Sequence, residues 1–121
     1  MCVDLHTHSV YSDGSATPAD LIELAAHNRL HGLALTDHDT VEGVAEFLRL
    51  GEQAGLTVLS GVEVSSSLRQ HTLHILGYGI DHTAPELHEW LAPLQAGRAR
   101  RNEVILDKLR APFRVGEHEL V

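Results

Sequence analysis

Two histidines separated by one residue, His6 and His8, end a short stretch from Val3 to His8 that alternates Val and Leu with Asp and His. On a strand, both imidazoles project from the same face, about 6.6 Å apart along the backbone, and can converge on one ion. A second polar cluster, Asp37-His38-Asp39, follows the apolar run Gly32 to Thr36. Glu63 interrupts another apolar run, Gly61 to Val64. An ionised carboxylate buried there is costly without a cation or a donor. His74 stands between Leu73 and Ile75, and Asp13 lies in the loop after the first histidine pair. Taken singly, His74 reads as a satisfied core residue and Asp39 with Thr40 as a helix cap. Taken together, a His or a carboxylate falls at or near one end of every expected strand, and a multinuclear metal site is the better reading. Mixed imidazole and carboxylate ligands suit Zn²⁺, Mn²⁺ or Fe²⁺, and a carboxylate such as Glu63 can bridge two ions. The lack of cysteines among them argues against a closed structural zinc site.

The elements that must carry these groups follow from pattern. Val3 to His8 reads as a strand that gives way to the loop Ser12-Asp13-Gly14-Ser15. Thr17 as cap and Pro18 in the first turn open a helix whose stripe is expected at Leu21, Leu24 and Ala25 with Asn28. Gly32 to Thr36 is short and apolar on both faces, as a buried parallel strand is. A second helix presents Val44, Phe47, Leu48 and Gly51, with Gly55 beyond its end. Thr57 to Val64 is a third strand, Ser65 to Gln70 a polar turn, and Thr72 to Tyr78 a fourth strand, the last pair antiparallel. Thr83-Ala84-Pro85-Glu86 has the spacing of a capping box. Leu87, Trp90, Leu91 and Leu94 continue the helical period, with a kink expected at Pro93, and the helix resumes through Arg98, Ile105 and Leu109 to end before Pro112. This alternation of strands and helices places the chain in the α/β class. An eight-stranded barrel takes about 200 residues or more, so the chain holds at most part of one.

Composition narrows the function. The 121 residues make one domain, 1–121, and the formal net charge of -8 argues against a general binder of nucleic acid or anionic membrane. The single cysteine, Cys2, rules out a disulfide framework and points to a reducing, cytoplasmic setting. No apolar run approaches the roughly 18 residues of a membrane span. The ten histidines outnumber Lys and Arg together, and imidazole is the commonest metal ligand.

Five segments carry a family resemblance: Asp4-Leu5-His6-Thr7-His8-Ser9, Tyr11-Ser12-Asp13-Gly14, Leu35-Thr36-Asp37-His38-Asp39-Thr40, Gly61-Val62-Glu63-Val64-Ser65 and His74-Ile75-Leu76-Gly77-Tyr78. In order and spacing they resemble the successive motifs of the polymerase and histidinol phosphatase (PHP) family, over about residues 3 to 110. Within it they are most similar to the small phosphoesterases that include 3′,5′-nucleoside bisphosphate phosphatases and short-RNA exonucleases. The resemblance implies a distorted (β/α)7 barrel, of which this chain would form the first four strands with their helices. It implies up to three divalent ions, usually Mn²⁺. His6, His8 and Glu63 would hold one, Glu63 and His74 a second, Asp13 and His38 a third, with Asp37 and Asp39 orienting the ligands from outside. Gly97-Arg98-Ala99-Arg100-Arg101-Asn102 resembles the family's substrate-phosphate segment. Arg98 and Arg101 share a helix face, and two guanidiniums can grip one phosphate.

The later His-Pro and Asp-x-His motifs of the family do not occur, and the late histidine His118 follows Glu117 with Gly116 two residues before it. The chain therefore resembles the N-terminal half of a PHP domain. The implied activity is metal-assisted hydrolysis of a nucleotide or short-oligonucleotide phosphate ester. The alternative is a truncated, catalytically silent metal- or partner-binding module, self-associating or completed by a second chain. A deaminase or amidase of the amidohydrolase type shares the first-strand His-x-His but needs a strand-borne lysine, and the only lysine, Lys108, falls on the last helix.

Overall fold

Residues 1–113 are described by the computed structural model. In chain order they form β1 (Val3–Thr7), α1 (Pro18–His27), β2 (Gly32–Leu35), α2 (Val44–Gln53), β3 (Thr57–Leu68), β4 (His71–Tyr78) and α3 (Pro85–Phe113). His118 lies outside the described residues. The sheet order is β1-β2-β3-β4, parallel through β3 and antiparallel between β3 and β4. Strands about 4.8 Å apart would put β1 and β4 about 14 Å from each other in a flat sheet. Yet the Tyr78 hydroxyl in β4 donates to the Leu5 carbonyl in β1 at 2.6 Å. The sheet is therefore curled, and the four strands form half of a barrel wall.

The core lies between this wall and the helices. Leu33 and Leu35 of β2 and Val62 of β3 meet Ile22 and Ala25 of α1, Val44 and Phe47 of α2, Val41 from the segment before α2, and Leu91 of α3. Thr17 caps α1 through a full capping box with Asp20, behind Pro18. The buried stripe of α1 is Ile22 and Ala25, whereas Leu24 is exposed. The apolar side is rotated by one residue from the expected one. Asn28 ends the helix and donates its side-chain amide to the Leu24 carbonyl. In α2 the expected positions hold, Val44, Phe47 and Gly51 being buried.

Three further expectations are corrected. The third strand runs to Leu68, with Ser65, Ser66 and Ser67 paired to His74, Leu73 and Thr72. The reversal is made by Arg69 and Gln70 alone, both with positive φ, the geometry of a tight two-residue hairpin turn. A polar serine run continues a strand where its outer end is solvated. At the start of α3, Thr83 gives both its amide and its hydroxyl to Asp81 and forms no capping box. The helix, a single element from Pro85 onward, runs past its expected end before Pro112 to Phe113. Along it Leu91 is buried and Trp90 exposed, because a face that buries Leu87, Leu91 and Leu94 turns Trp90 outward.

Gly61 marks the tightest interstrand approach. A Cβ there would stand 2.8 Å from Thr36 Cγ2, 2.9 Å from the Leu35 carbonyl oxygen and 3.0 Å from that of Gly77. Two of these are backbone atoms and cannot swing aside. Gly61→Ala is expected to destabilise the chain by about 1–3 kcal/mol, as overpacking does, read as a lower urea midpoint with an unchanged slope. An unaltered midpoint would mean that β3 is free to move away from β2 and β4.

Candidate metal centre

Glu63 is 4 % exposed, and four imidazoles surround its carboxylate. On Oε2 lie His8 Nε2 at 2.6 Å, His6 Nε2 at 2.9 Å and His38 Nε2 at 3.6 Å; on Oε1 lies His74 Nδ1 at 3.0 Å. Asp13 joins the group through His8 Nδ1 at 2.6 Å and His38 Nε2 at 3.2 Å. The fold thus brings all six predicted ligand residues to one rim of the half-barrel. They form three overlapping sets: His6, His8 and Glu63; His8, Asp13 and His38; and His38, Glu63 and His74.

Local structure explains each placement. Between Asp4 and Thr7 the β1–β2 register shifts, so that Leu5 and His6 face the single residue Ala34, as at a β-bulge. Bulges beside sites re-aim side chains, and the His6 and His8 rings end with their centroids 5.2 Å apart. Beyond β2 the chain keeps pairing with β3 at His38 and Glu63. There the Glu63 amide donates to the Asp37 carbonyl, and the Asp39 amide to that of Glu63. His74 stands opposite Ser65 in the hairpin register, and its ring reaches Glu63 on the diagonal.

The charges are tuned by the same contacts. Burial pushes the Glu63 carboxyl up, but the His6 hydrogen bond, the His38 charge and the His8 hydrogen bond outweigh it and hold it below the usual glutamate value. Asp13 is likewise lowered, burial being overcome by the His8 hydrogen bond and the charges of His38 and His8. Burial lowers His38 in spite of Asp13 and Glu63, which favours the neutral imidazole a metal requires.

Asp37 and Asp39 flank His38 and face opposite ways. Asp37 accepts from the Ser9 amide and hydroxyl and from the Ser12 hydroxyl, at 2.6 to 2.7 Å, pinning the backbone beside His8 and Asp13. Asp39 accepts from the Ser65 amide and hydroxyl at 2.8 and 2.7 Å, and its Oδ2 lies 3.5 Å from Arg98 Nε. Gln95 donates to the Asp39 carbonyl. Sequence reasoning assigned no role to Ser9, Ser12, Ser65 or Gln95. Ser9, Ser12 and Ser65 fall inside the segments that carry the family resemblance, whereas Gln95 has no sequence signal.

A cleft of about 680 Å³ opens onto this rim, lined by Asp13, His38 and His74 on one side and by Pro93, Arg98 and Arg101 of α3 on the other. Asn102 is half-buried and is not among the lining residues. Two buried nitrogens among the described residues lack a hydrogen-bond partner, His38 Nδ1 and Arg98 Nε.

The donor set fits divalent ions. Ligands about 2.1 Å from a tetrahedral ion stand about 3.4 Å from one another, and the separations of 2.6 to 3.6 Å found here bracket that value.

Fold and site together define a partial α/β barrel whose strand ends carry a cluster of histidines and carboxylates. The PHP domain profile matches residues 4–114, and the chain belongs to that family. It is 46% identical over 99 residues to a 3′,5′-nucleoside bisphosphate phosphatase of Chromobacterium violaceum, covering 82% of this chain and 35% of that protein. It is 38% identical over 108 residues to a 5′-3′ exoribonuclease of Escherichia coli, covering 88% of this chain and 37% of that protein. The solved structure of an amidohydrolase from Chromobacterium violaceum, with bound sulfate and no metal, superposes with a TM-score of 0.88 at 41% identity, covering 96% of this chain and 41% of that one. The chain thus spans little more than a third of the length of these curated relatives.

Proposed function

We propose that this chain forms the N-terminal part of a metal-dependent phosphoesterase that hydrolyses phosphate esters of nucleotides or short oligonucleotides. The observation that carries the reading is the Glu63 carboxylate, held between four imidazoles, two of which, His38 and His74, line with Asp13 a cleft that faces Arg98 and Arg101. His6, His8 and Glu63 would hold one ion, His74 and Glu63 a second, Asp13 and His38 a third, with Mn²⁺ as the expected metal. Bound ions of this kind bind a phosphate, lower the pKa of a water and stabilise the leaving oxygen. Asp37 and Asp39 hold the ligand-bearing segments in place, as groups behind metal ligands do. Arg98 and Arg101 reach into the cleft from α3 and would hold a substrate phosphate, with Asn102 beside them on the same helix. The names of the relatives support the substrate class. A cytoplasmic setting belongs to the same proposal, resting on the single cysteine; among the described residues no helix is long and apolar enough to cross a membrane.

Metal analysis of the purified protein tests the ligand set. Glu63→Ala and His8→Ala each remove a residue shared by two of the three sets, and both are expected to lose more metal than His74→Ala, which belongs to one. Equal metal content in all four proteins would sink the assignment.

The arginines make a separate prediction. In the intact enzyme Arg101→Ala is expected to raise KM about tenfold or more for a substrate with a second phosphate, as loss of a charge-assisted contact does. The same variant acting equally on a simple aryl phosphate would argue for a role in the reaction or the fold.

The outer strands carry a third. β1 exposes Val3 and Leu5, and β4 exposes Leu73, Ile75 and Tyr78; open edges and apolar faces of this kind promote association. The 121-residue chain alone is expected to self-associate, or to bind a complementary fragment, and to turn over nucleotide poorly. Light scattering across a concentration series, beside a Mn²⁺-dependent phosphatase assay, checks both; a monodisperse, active monomer would contradict it.

A further inference from the structure

We propose that Tyr78 is a positioning residue for His6. Its hydroxyl, reaching from β4 across the curl of the sheet to the Leu5 carbonyl, sets the peptide plane from which the His6 ring is presented to Glu63. The Leu5 carbonyl and the His6 amide belong to one peptide unit, and that unit sits at the β1–β2 register shift. Side chains hold it from both sides. Tyr78 Oη donates to the Leu5 oxygen at 2.6 Å, and the His6 N–H donates to Asp4 Oδ1 at 3.1 Å. Immediately beyond, the Thr7 hydroxyl takes the Ala34 carbonyl at 2.6 Å, so side chains stand in for the sheet at this point of β1. A peptide plane pinned at both its polar ends cannot rotate, and its rotation is the motion that would swing the His6 ring off Glu63 Oε2, 2.9 Å away.

The placement is specific to a curled sheet. Tyr78 pairs with Gly61, two strands removed from β1, so no local contact brings its hydroxyl to Leu5. The bond forms only when β1, β2, β3 and β4 take their full curvature, which makes the setting of His6 depend on closure of the wall. Tyr78 is 41 % exposed and lies outside the six ligand residues, and the hydrolytic chemistry proposed above makes no use of it. The consequence for metal binding rests on the reading of His6, His8 and Glu63 as ligands; the positional claim does not.

The test is Tyr78→Phe in the intact protein, which removes the hydroxyl and keeps the ring. In chelator-treated samples the imidazole ¹H–¹⁵N signals of His6 are expected to shift, while those of His27 and His88, remote from the tie, stay in place. Asp4→Ala removes the other anchor of the same peptide and is expected to move the same His6 signals. In Mn²⁺ titrations Tyr78→Phe should bind about 10- to 100-fold more weakly, the usual effect of losing a group behind a ligand. Unshifted His6 signals, or Mn²⁺ affinity equal to that of the unaltered protein, would overturn the proposal. So would loss of the fold in Tyr78→Phe, because the hydroxyl would then be holding the sheet and not one side chain. Shifted His6 signals in a protein that binds no Mn²⁺ before or after the change would uphold the positioning role and sink the metal reading instead.

Discussion

An ionised carboxylate taken almost wholly out of water must be met by donors or by cations, and Glu63 imposes that requirement on every strand of this half-barrel. Leaving it unmatched would cost several kcal/mol or more. The four imidazoles around it come from β1, from the segment after β1, from the extension of β2 and from β4, so satisfying one side chain ties together the whole wall. The dependence also runs outward to backbone detail. The register shift in β1, the continued pairing of His38 with Glu63 and the antiparallel return of β4 each serve to bring a ring to the same carboxylate.

Imidazoles converging on a carboxylate still need rigid supports, because a ring on a loop can turn away. His38 is supported by its two neighbours, which face opposite directions. Asp37 reaches back to Ser9 and Ser12 in the loop after β1, and Asp39 reaches forward to Ser65 in β3 and to Arg98 in α3. Both aspartates are buried, and each is matched by amides and hydroxyls at close range. Charge-assisted bonds of this type are about twice as strong as neutral ones. The Asp-His-Asp triplet therefore acts as a clamp that joins three segments distant in sequence, with His38 between its jaws.

Much of this was legible in the sequence because the physics involved is local or periodic. A strand whose two histidines share a face, a capped helix start at Thr17 and the buried stripe Val44, Phe47 and Gly51 all follow from spacing alone. Polar residues at the ends of apolar runs marked the region of the site, and the family resemblance singled out the six ligand candidates among them. What escaped was set by tertiary contact. Leu24 and Trp90 fit the helical period within a residue, and only the neighbouring sheet decides that Ile22 and Leu91 take the core positions. Arg69 and Gln70 carry none of the usual turn chemistry, and the pairing of β3 with β4 forces them into positive φ. Thr83 had the spacing of a cap, but its amide, the donor a capping box gives to Glu86, is taken by Asp81 two residues earlier. The Tyr78–Leu5 bond spans 73 residues and has no sequence signature.

The division of labour between strands and helix has a physical consequence for how such a site can change. The candidate ligands other than Asp13, which lies in the loop after β1, sit on the strands or the segments that continue them, where backbone pairing and the shared Glu63 carboxylate hold them close together. The two arginines sit on α3, whose face toward the cleft also carries Pro93, Leu94 and Gly97. Substitution along that face alters what the cleft can hold without disturbing the pairing beneath it, apart from the struts that α3 sends down, Arg98 to Asp39 and Ser65 and Gln95 to the Asp39 carbonyl. Arg98 is thus constrained twice, as a wall of the cleft and as a support of the clamp, whereas Arg101 is exposed on the same helix and bound only by the first demand. A substitution that changes what the cleft holds would meet less resistance at Arg101 than at Arg98, since changing Arg98 leaves the buried Asp39 carboxylate without its nearest cation.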